Sequence, residues 1–325
     1  MKRAFITGIA GQDGSYLTEL LLEKGYEVHG LVRSHAAPRL AHLIRDPQII
    51  GKRLILHSGD LDQPDSICVP LEKFAPDEVY HLASQSHVGN SFETIEETCR
   101  ITGFGVLSLL EMVRKLPKPP KFFHASSSEI FGSPEGFPQD ESTPVAPVTP
   151  YGCAKAFATQ LVRVYRQNTG LFAVNGILFN HESPRRGENF VTRKICRAAA
   201  AIKFGKQKEL VLGDTSAQRD WGHARDYVRG MWLALQHDTA EDFVFATSRL
   251  HSVQEVIETA FGIAGLDWRQ FVRNDPKFVR AADPRRLVGN AVKANRLLQW
   301  RPEIPFEEII GEMTQAEIAA FSAAE

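Results

Sequence analysis

The chain has 325 residues, of which 43% are hydrophobic and 24% are charged. These values are ordinary for a globular enzyme and leave room for one large domain or two medium ones. The formal net charge is −1, so no broad electrostatic field favours binding to nucleic acid or to an anionic membrane. We therefore expect any bound anion to be held locally, by backbone N–H groups and a few arginines.

The cysteines and the apolar runs indicate the cellular compartment of the protein. Arg3–Thr7 already has the pattern of a strand, which leaves no room for the apolar core of a signal peptide. No stretch approaches the length of a membrane span. The cysteines form no C-x-x-C pair, which argues against a disulfide framework or a metal site; they are Cys68, Cys99, Cys153 and Cys196. These features predict a protein of the reducing cytoplasm.

Short apolar runs alternate with helical patterns in the first half of the chain. Ser15–Lys24 is a clear helix, because its leucines share one face and Gly25 is placed to end it. Further helices are expected over Val191–Phe204 and Ala224–Gln236. The predicted strands are Ala4–Thr7, Glu27–Val32, Leu54–His57, Glu78–Ala83, Lys121–Ser126, Leu171–Phe179 and Asp242–Thr247.

This alternation predicts an α/β fold built on a doubly wound (Rossmann) parallel sheet. After residue 180 the pattern becomes irregular, which indicates a smaller, interleaved C-terminal α/β domain. We expect a dinucleotide-binding domain over residues 1–180, with a returning segment at about 219–247, and a substrate domain over residues 181–325.

A glycine-rich loop follows the first predicted strand and precedes the first predicted helix. Its spacing is G-x-x-G-x-x-G, formed by Gly8, Gly11 and Gly14, with Gln12 and Asp13 between the last two. Glycines in this position let the backbone approach a pyrophosphate, which the N-terminus of the helix attracts. The strand-loop-helix context favours dinucleotide binding over a purely structural turn.

The end of the second predicted strand indicates NADP. An acidic residue there would bind the ribose 2′-hydroxyl and repel a 2′-phosphate, but the chain has Arg33 and Ser34 instead. Arginine can pair with a phosphate through two hydrogen bonds. Asp60 and Leu61, which follow the third strand, are expected to flank the adenine.

Tyr151 and Lys155 form a Y-x-x-x-K pair. Residues four apart share one face of a helix, so the ammonium group would lie near the phenol. We expect this charge, together with a positive nicotinamide, to lower the pKa of Tyr151 from about 10 toward neutrality. A tyrosine with such a pKa can act as a general base.

Ser127 and Glu129 lie where the predicted strand Lys121–Ser126 ends. Strand ends in a doubly wound sheet face the ligand crevice. The serine can hydrogen-bond to a substrate hydroxyl that Tyr151 deprotonates. The glutamate can remove a proton from carbon beside a carbonyl, a step that an elimination needs and a simple oxidoreduction does not.

Together these motifs resemble the extended short-chain dehydrogenase/reductase family, and several stretches are similar to the GDP-mannose 4,6-dehydratases within it. The resemblance covers essentially the whole chain. The similar stretches are Gly8–Tyr16, Gln85–Val88, Phe172–Ile195, Arg219–His223, Asp226–Val228 and Asp242–Val244.

The resemblance implies dehydration of GDP-mannose, or of a related GDP-hexose, with NADP as an internal hydride shuttle. Tyr151 would take the proton of the 4-hydroxyl, which Ser127 orients, while hydride passes from carbon 4 to NADP. Glu129 would remove the carbon 5 proton and assist loss of water from carbon 6, to which the hydride returns. Lys155 would also bind the nicotinamide ribose. The product would be GDP-4-keto-6-deoxymannose.

The resemblance also implies which residues bind the ligands. Leu82 is expected at the cofactor, and Glu182 and Arg185 in the hexose pocket. The other substrate contacts are expected from Ser86, Asn180, Lys194, Arg219 and Arg280.

The chain departs from the pattern of these dehydratases at some positions. Ser127 stands in place of a usual threonine, and Phe131 in place of a tyrosine. The segment Ser34–Leu43 is short and lacks a second consecutive arginine after Arg33. In the dehydratases this loop reaches a neighbouring subunit, so a homodimer packed through two helices per subunit is expected here, with a tetramer as the alternative.

Two other readings remain open. The first is another nucleotide-sugar enzyme on the same scaffold, such as a 4-keto-sugar reductase, an epimerase or a decarboxylase. The second is a catalytically silent nucleotide-binding protein, although such proteins often lack the tyrosine or the lysine, and both are present here.

Overall fold

Strands and helices alternate regularly in the first half of the computed structural model, which describes residues 1–33, 37–134, 136–275, 277 and 286–323. The strands are β1 (Arg3–Thr7), β2 (Glu27–Val32), β3 (Leu54–Ser58), β4 (Glu78–His81), β5 (Lys121–Ser127), β6 (Ala173–Leu178), β7 (Asn180–Glu182), β8 (Leu210–Leu212), β9 (Gln218–Arg219), β10 (Trp221–His223), β11 (Asp242–Phe245), β12 (His251–Ser252), β13 (Val272–Asn274) and β14 (Arg286–Leu287). The helices are α1 (Gln12–Glu23), α2 (Ala41–Ile44), α3 (Asp65–Phe74), α4 (Ile95–Thr98), α5 (Gly105–Lys115), α6 (Pro150–Thr169), α7 (Val191–Lys203), α8 (Ala224–Gln236), α9 (Val253–Ala264), α10 (Val292–Leu298) and α11 (Phe306–Ser322).

The central sheet has seven strands in the order β11-β6-β5-β4-β1-β2-β3, and every neighbouring pair is parallel. The predicted doubly wound sheet is therefore confirmed. β11 joins it as the outer strand beside β6, as the apolar run at residues 242–247 suggested. Predicted and observed strand bounds differ by at most two residues, as is usual for strand ends.

Helices cover both faces of this sheet. α1 and α8 pack on one face, and α3, α5 and α6 pack on the other. A further apolar core joins α7, α9 and α11 to β8 and β13; the assignment of two functional domains stays a prediction. Among the described helices, none is both long and apolar enough to span a membrane.

A row of polar side chains crosses five adjacent strands of the sheet. The row consists of register partners, namely Thr7, His81, His124, Asn175 and Asp242. The side chains of such partners point to the same face of a parallel sheet. The row therefore interrupts the apolar surface beneath α6.

Asp242 anchors the later turns of α6 to the outer edge of the sheet. Its carboxylate accepts hydrogen bonds from Arg163 Nε at 2.6 Å and Arg166 Nη1 at 2.9 Å. Asn175 Nδ2 donates to the same carboxylate at 2.9 Å and to the carbonyl of Thr159 at 3.1 Å. These charge-assisted bonds fix the position of α6 along the sheet.

We expect Gly14→Ala to lower the free energy of unfolding by at least about 2 kcal/mol, the usual cost of overpacking. A Cβ at Gly14 would lie 2.3 Å from the carbonyl oxygen of Gly8 and 2.6 Å from Cα of Ile9. Both atoms belong to the backbone, so neither can rotate away. Urea unfolding would measure the loss. Gly262→Ala in α9 is the matched control, because its Cβ would meet nothing within 4 Å, and alanine there should stabilise the helix by about 0.5–1 kcal/mol.

Candidate active site

A cavity of about 630 Å³ lies at the carboxyl ends of β1 and β4. The order of strands along the sheet reverses between these two neighbours, and doubly wound sheets bind ligands at such a point. The sequence-predicted residues that line it are Gly8, Gly11, Gln12, Asp13, Gly14, Arg33, Asp60, Leu61, Leu82, Ser86, Ser127, Glu129, Tyr151, Lys155 and Asn180. The structure thus brings together the glycine loop and all four predicted catalytic residues.

The glycine loop forms one wall of the cavity. Gly8 adopts φ of +77°, and a Cβ there would lie 2.7 Å from the backbone nitrogen of Ala83, so the turn requires glycine. α1 begins at Gln12, within this loop, and its first N–H groups have no partner within the helix. The buried Oε1 of Gln85, another lining residue, has no hydrogen-bond partner among the described residues. These features fit a dinucleotide with its pyrophosphate against the loop.

A charged pair fixes the loop to the segment that follows β6. His181 Nε2 lies 2.8 Å from Asp13 Oδ2, and its Nδ1 lies 2.8 Å from the carbonyl oxygen of Phe179. Both ring nitrogens face acceptors, an arrangement that favours the imidazolium form. Burial opposes this charge, but the Asp13 carboxylate raises the pKa of His181 above its ordinary value. Gln12 Nε2 also donates to the carbonyl of His181 at 3.0 Å.

The four predicted catalytic side chains come from β5, the turn after it and the first turns of α6. Ser127 ends β5, and its hydroxyl accepts a hydrogen bond from the backbone N–H of Glu129 at 3.2 Å. Thr149 caps α6 through a bond from Gly152 N at 3.0 Å. This cap sets the start of the helix, and therefore the positions of Tyr151 and Lys155.

The lysine and the tyrosine are both buried. Lys155 Nζ donates to the carbonyl of Ala125 at 2.7 Å and lies 5.8 Å from the centre of the Tyr151 ring. The phenol of Tyr151 has hydrogen bonds to the side chains of Ser127 and Ser84. The phenol, the serine hydroxyl and the ammonium group therefore face one region of the cavity, which Glu129 also lines.

The predicted fall in the pKa of the tyrosine, which also requires the positive nicotinamide, is not seen in the protein without its cofactor. Burial raises the pKa of Tyr151 to about 12; the nearby Glu129 adds to this rise, and Ser127 and Arg186 oppose it. Burial also lowers the pKa of Lys155 to about 7, against a smaller effect of Asp13. Burial is therefore the largest cause of both shifts in the protein without its cofactor.

Comparison with known proteins identifies the family. The model of the family described as GDP-mannose 4,6 dehydratase matches residues 5–313. GDP-mannose 4,6 dehydratase 1 of Arabidopsis thaliana is 48% identical over 98% of this chain and 90% of its own length. The human GDP-mannose 4,6 dehydratase is 45% identical over 97% of this chain and 91% of its own. The chain belongs to the GDP-mannose 4,6-dehydratase family.

Solved structures with the same fold include a neighbour at 26% sequence identity. UDP-glucose 4-epimerase of Thermus thermophilus, in complex with NAD, has a TM-score of 0.85 over 98% of this chain and 99% of its own. The dTDP-glucose 4,6-dehydratase DesIV of Streptomyces venezuelae is 24% identical, with a TM-score of 0.87 over 99% of this chain and 98% of its own. Its likeness supports the fold alone.

Four ionisable residues that line the cavity of this family member were missed by the sequence-based reasoning. They are Arg39, Glu97, His181 and Arg186. Arg186 directly follows the predicted Arg185 in the chain. Its side chain faces the cavity, whereas that of Arg185 contacts α1. His181 lies inside a stretch that the family resemblance covered. Arg39 carried no local signal, because it reaches the cavity only through the fold of the segment after β2.

Glu182 and Arg185 are not among the residues that line this cavity, and their place in the hexose pocket stays a prediction. Glu182 is buried, accepts a bond from Thr192 at 2.6 Å, and lies 3.1 Å from Nε of Arg186. Its carboxylate therefore positions the arginine that does line the cavity. Arg185 instead binds α1, donating to Glu19 at 2.6 Å.

The predicted phosphate-binding residues of the C-terminal half are not among the residues that line the cavity. Lys194 Nζ, on α7, donates to the carbonyl of Val211 at 3.2 Å. Arg219 lies in β9 and donates to the carbonyl of Gln218 at 2.8 Å. Arg280 and Ser34 lie outside the described residues, so their predicted roles stay predictions. Within the described part of the chain, no group of histidine, cysteine and carboxylate side chains has the geometry of a metal site.

We expect Lys155→Met to raise the free energy of unfolding of the cofactor-free protein by a few kcal/mol at pH 7. The folded pKa of Lys155 is about 7, whereas its ordinary value is 10.5. Between these values the unfolded chain holds the extra proton, so the native protein gains stability as pH rises. The advantage of the variant should therefore shrink toward pH 10.5. Urea unfolding at both pH values measures it, and Lys115→Met, at an exposed lysine, is the control. A constant difference would contradict the prediction.

Proposed function

We propose that this chain is a GDP-mannose 4,6-dehydratase, which converts GDP-mannose into GDP-4-keto-6-deoxymannose with loss of water. The observation that carries the proposal is the convergence of Ser127, Glu129, Tyr151 and Lys155 on one cavity beside the glycine loop. The serine, tyrosine and lysine suit oxidation of a hydroxyl. The additional carboxylate suits elimination of water beside the new carbonyl.

The cofactor of this reaction is NADP, held by the residues that form the adenosine and pyrophosphate end of the cavity. Gly8, Gly11 and Gly14 let the backbone approach the pyrophosphate, and the N-terminus of α1 attracts its charge. Arg33 follows β2 and lines the cavity where NAD-binding proteins have an acidic residue. When bound there, NADP would supply reversible hydride storage for carbon 4 and carbon 6 of the sugar, and its oxidised form would add positive charge to the site.

The side chains of the protein handle the protons. Tyr151 takes the proton of the sugar 4-hydroxyl, which its hydrogen-bond partner Ser127 orients. Lys155 places positive charge and hydrogen-bond donors at the nicotinamide ribose. Glu129 takes the carbon 5 proton, which the neighbouring carbonyl acidifies, and donates a proton to the hydroxyl that leaves carbon 6.

The substrate is bound by groups from both parts of the chain. Ser86 and Asn180 line the cavity and can hydrogen-bond to the sugar. Lys194 and Arg219, with Arg280, supply charge for the diphosphate. The division into a dinucleotide domain (1–180, with 219–247) and a nucleotide-sugar domain (181–325) follows from this assignment.

The protein is further proposed to be a cytoplasmic homodimer packed through α5 and α6. Two large aromatic side chains are exposed together on this surface: Phe104, just before α5, and Phe157, on α6, have ring centres 5.5 Å apart and exposed fractions of 56% and 43%. Apolar patches of this kind mark contact surfaces. Sedimentation of the purified protein at twice the chain mass would support the dimer.

Mass spectrometry of a reaction with GDP-mannose, but without added NADPH, tests the function. A dehydratase yields a product lighter by one water, because the hydride is stored and returned. An epimerase leaves the mass unchanged, a decarboxylase loses carbon dioxide only from a uronic acid, and a reductase needs NADPH. Absence of any product from GDP-hexoses would instead support a silent binding protein.

A further inference from the structure

The segment after β2 presents a second arginine to the cavity. Pro38–Leu40 forms a 3₁₀ turn that leads into α2. Ala37, Leu40 and Leu43 are buried in the core shared with α1 and α8. This packing on both sides fixes the backbone of Arg39, whose side chain lines the cavity.

The contacts of Arg39 leave its charge without a counter-ion. Its Nε donates to the carbonyl of Arg185 at 2.7 Å, and its Nη1 lies 3.3 Å from the carbonyl of Ala10, in the glycine loop. Both acceptors are neutral. Among the described residues, no carboxylate forms an ion pair with Arg39.

Two other arginines nearby are neutralised by carboxylates. Arg185 pairs with Glu19 at 2.6 Å, and Arg193 pairs with Glu317. Burial, followed by repulsion from Arg193 and Arg185, lowers the pKa of Arg39. The carboxylates beside these arginines are thus already paired, so the charge of Arg39 is left to attract a bound anion.

The position of Arg39 identifies the part of the ligand that it meets. Arg33 follows β2, and Arg39 is bonded to the glycine loop at Ala10; both arginines line the same cavity. The ribose next to the adenine lies between these two elements in a doubly wound fold.

We propose that Arg39, together with Arg33, binds the 2′-phosphate of NADP and makes the site selective for NADP over NAD. The chain lacks two consecutive arginines after β2, and Arg39 supplies the second cation from six residues further on. This inference rests on the proposed nucleotide cofactor.

Calorimetric titration with 2′,5′-ADP and with 5′-AMP isolates the contribution of the 2′-phosphate. We expect Arg39→Gln to weaken binding of 2′,5′-ADP by about 10- to 100-fold, as expected for the loss of charge-assisted hydrogen bonds. Binding of 5′-AMP should stay within about twofold. Arg45→Gln, at an exposed arginine just after α2, is the matched control and should leave both affinities unchanged.

The alternative is that Arg39 only ties the segment to the glycine loop. That role predicts equal losses for the two ligands, and either equal losses or no loss would overturn the proposal. If Arg39→Gln does not fold, Arg39→Lys carries the test. Lysine keeps the charge but cannot form the bidentate pair, so we expect a selective loss of about 3- to 10-fold for 2′,5′-ADP. Unchanged selectivity in this variant would also overturn it.

These titrations do not depend on turnover. A protein that dehydrates GDP-mannose but shows no selective loss would keep the proposed function and lose this inference. A selective loss in a protein that does not dehydrate GDP-mannose would support the 2′-phosphate site and contradict the proposed function.

Discussion

Replacing Glu129 with glutamine is expected to lower the rate of GDP-mannose dehydration by roughly 10²–10⁴-fold, the usual contribution of a positioned acid or base. Glutamine has a similar shape but can neither accept the carbon 5 proton nor donate one to the leaving hydroxyl. The first oxidation depends on Tyr151, Ser127 and Lys155 instead. Reduced cofactor should therefore accumulate on the variant when substrate is added.

The near-ultraviolet absorbance of reduced nicotinamide, followed alongside mass spectrometry of the sugar nucleotide, separates the two steps. Glu96→Gln is the matched control, because this glutamate is exposed on α4 and does not line the cavity. Full dehydration activity in Glu129→Gln would remove this residue from the chemistry.

Tyr151→Phe is expected to lower dehydration by a similar factor, roughly 10²–10⁴-fold, but to block the reaction one step earlier. Without the phenol no group takes the proton of the 4-hydroxyl, so reduced cofactor should not accumulate. This opposite result distinguishes the two variants in the same absorbance measurement. Rapid accumulation of reduced cofactor in Tyr151→Phe would contradict the assigned role.

The titration of Tyr151 offers a second measurement on the same variant. In the protein alone its pKa is raised to about 12, so at neutral pH the phenol is protonated. Positive charge from oxidised NADP favours the phenolate and should shift its absorbance change to lower pH. Tyr151→Phe is the control, because it lacks this phenol and shows the absorbance change of the other tyrosines. An unchanged titration near pH 12 with the cofactor bound would refute this account of activation.

The central sheet could be predicted because its signals are local. Each strand of the first half is a short apolar run bounded by polar residues or glycine, and a helix pattern lies between most of them. Gly25 was recognised as the end of α1, and it adopts φ of +82° one residue beyond the cap. The outer strand β11 was recognised from Asp242–Val244 and its apolar continuation, although more than 60 residues separate it from its partner β6.

The convergence of the four candidate catalytic residues on one cavity was also predictable, because each lies at a strand end or on the first turns of a helix that the local pattern defines. The residues that were missed depend on long-range packing. Arg39 reaches the cavity because Leu40 and Leu43 are buried beside α1. Arg186 lines the cavity whereas Arg185 binds Glu19 of α1, and a sequence does not reveal which of two consecutive side chains faces inward.

The pKa of Tyr151 shows a different limit of sequence-based reasoning. Spacing alone placed a lysine next to the phenol, and this part was correct. The net effect depends on how deeply both groups are buried, because burial penalises each charge and is the largest cause of both pKa shifts. Depth of burial emerges only when α6 packs on the sheet.

The anchoring of α6 by Asp242 limits the order in which parts of the enzyme can fold during synthesis. Tyr151 and Lys155 leave the ribosome well before residue 242, and until then Arg163 and Arg166 lack the carboxylate that holds their helix in place. The nascent N-terminal half therefore contains every catalytic side chain but not the fixed helix that aligns two of them. We expect the site to become competent only late, when β11 docks against β6.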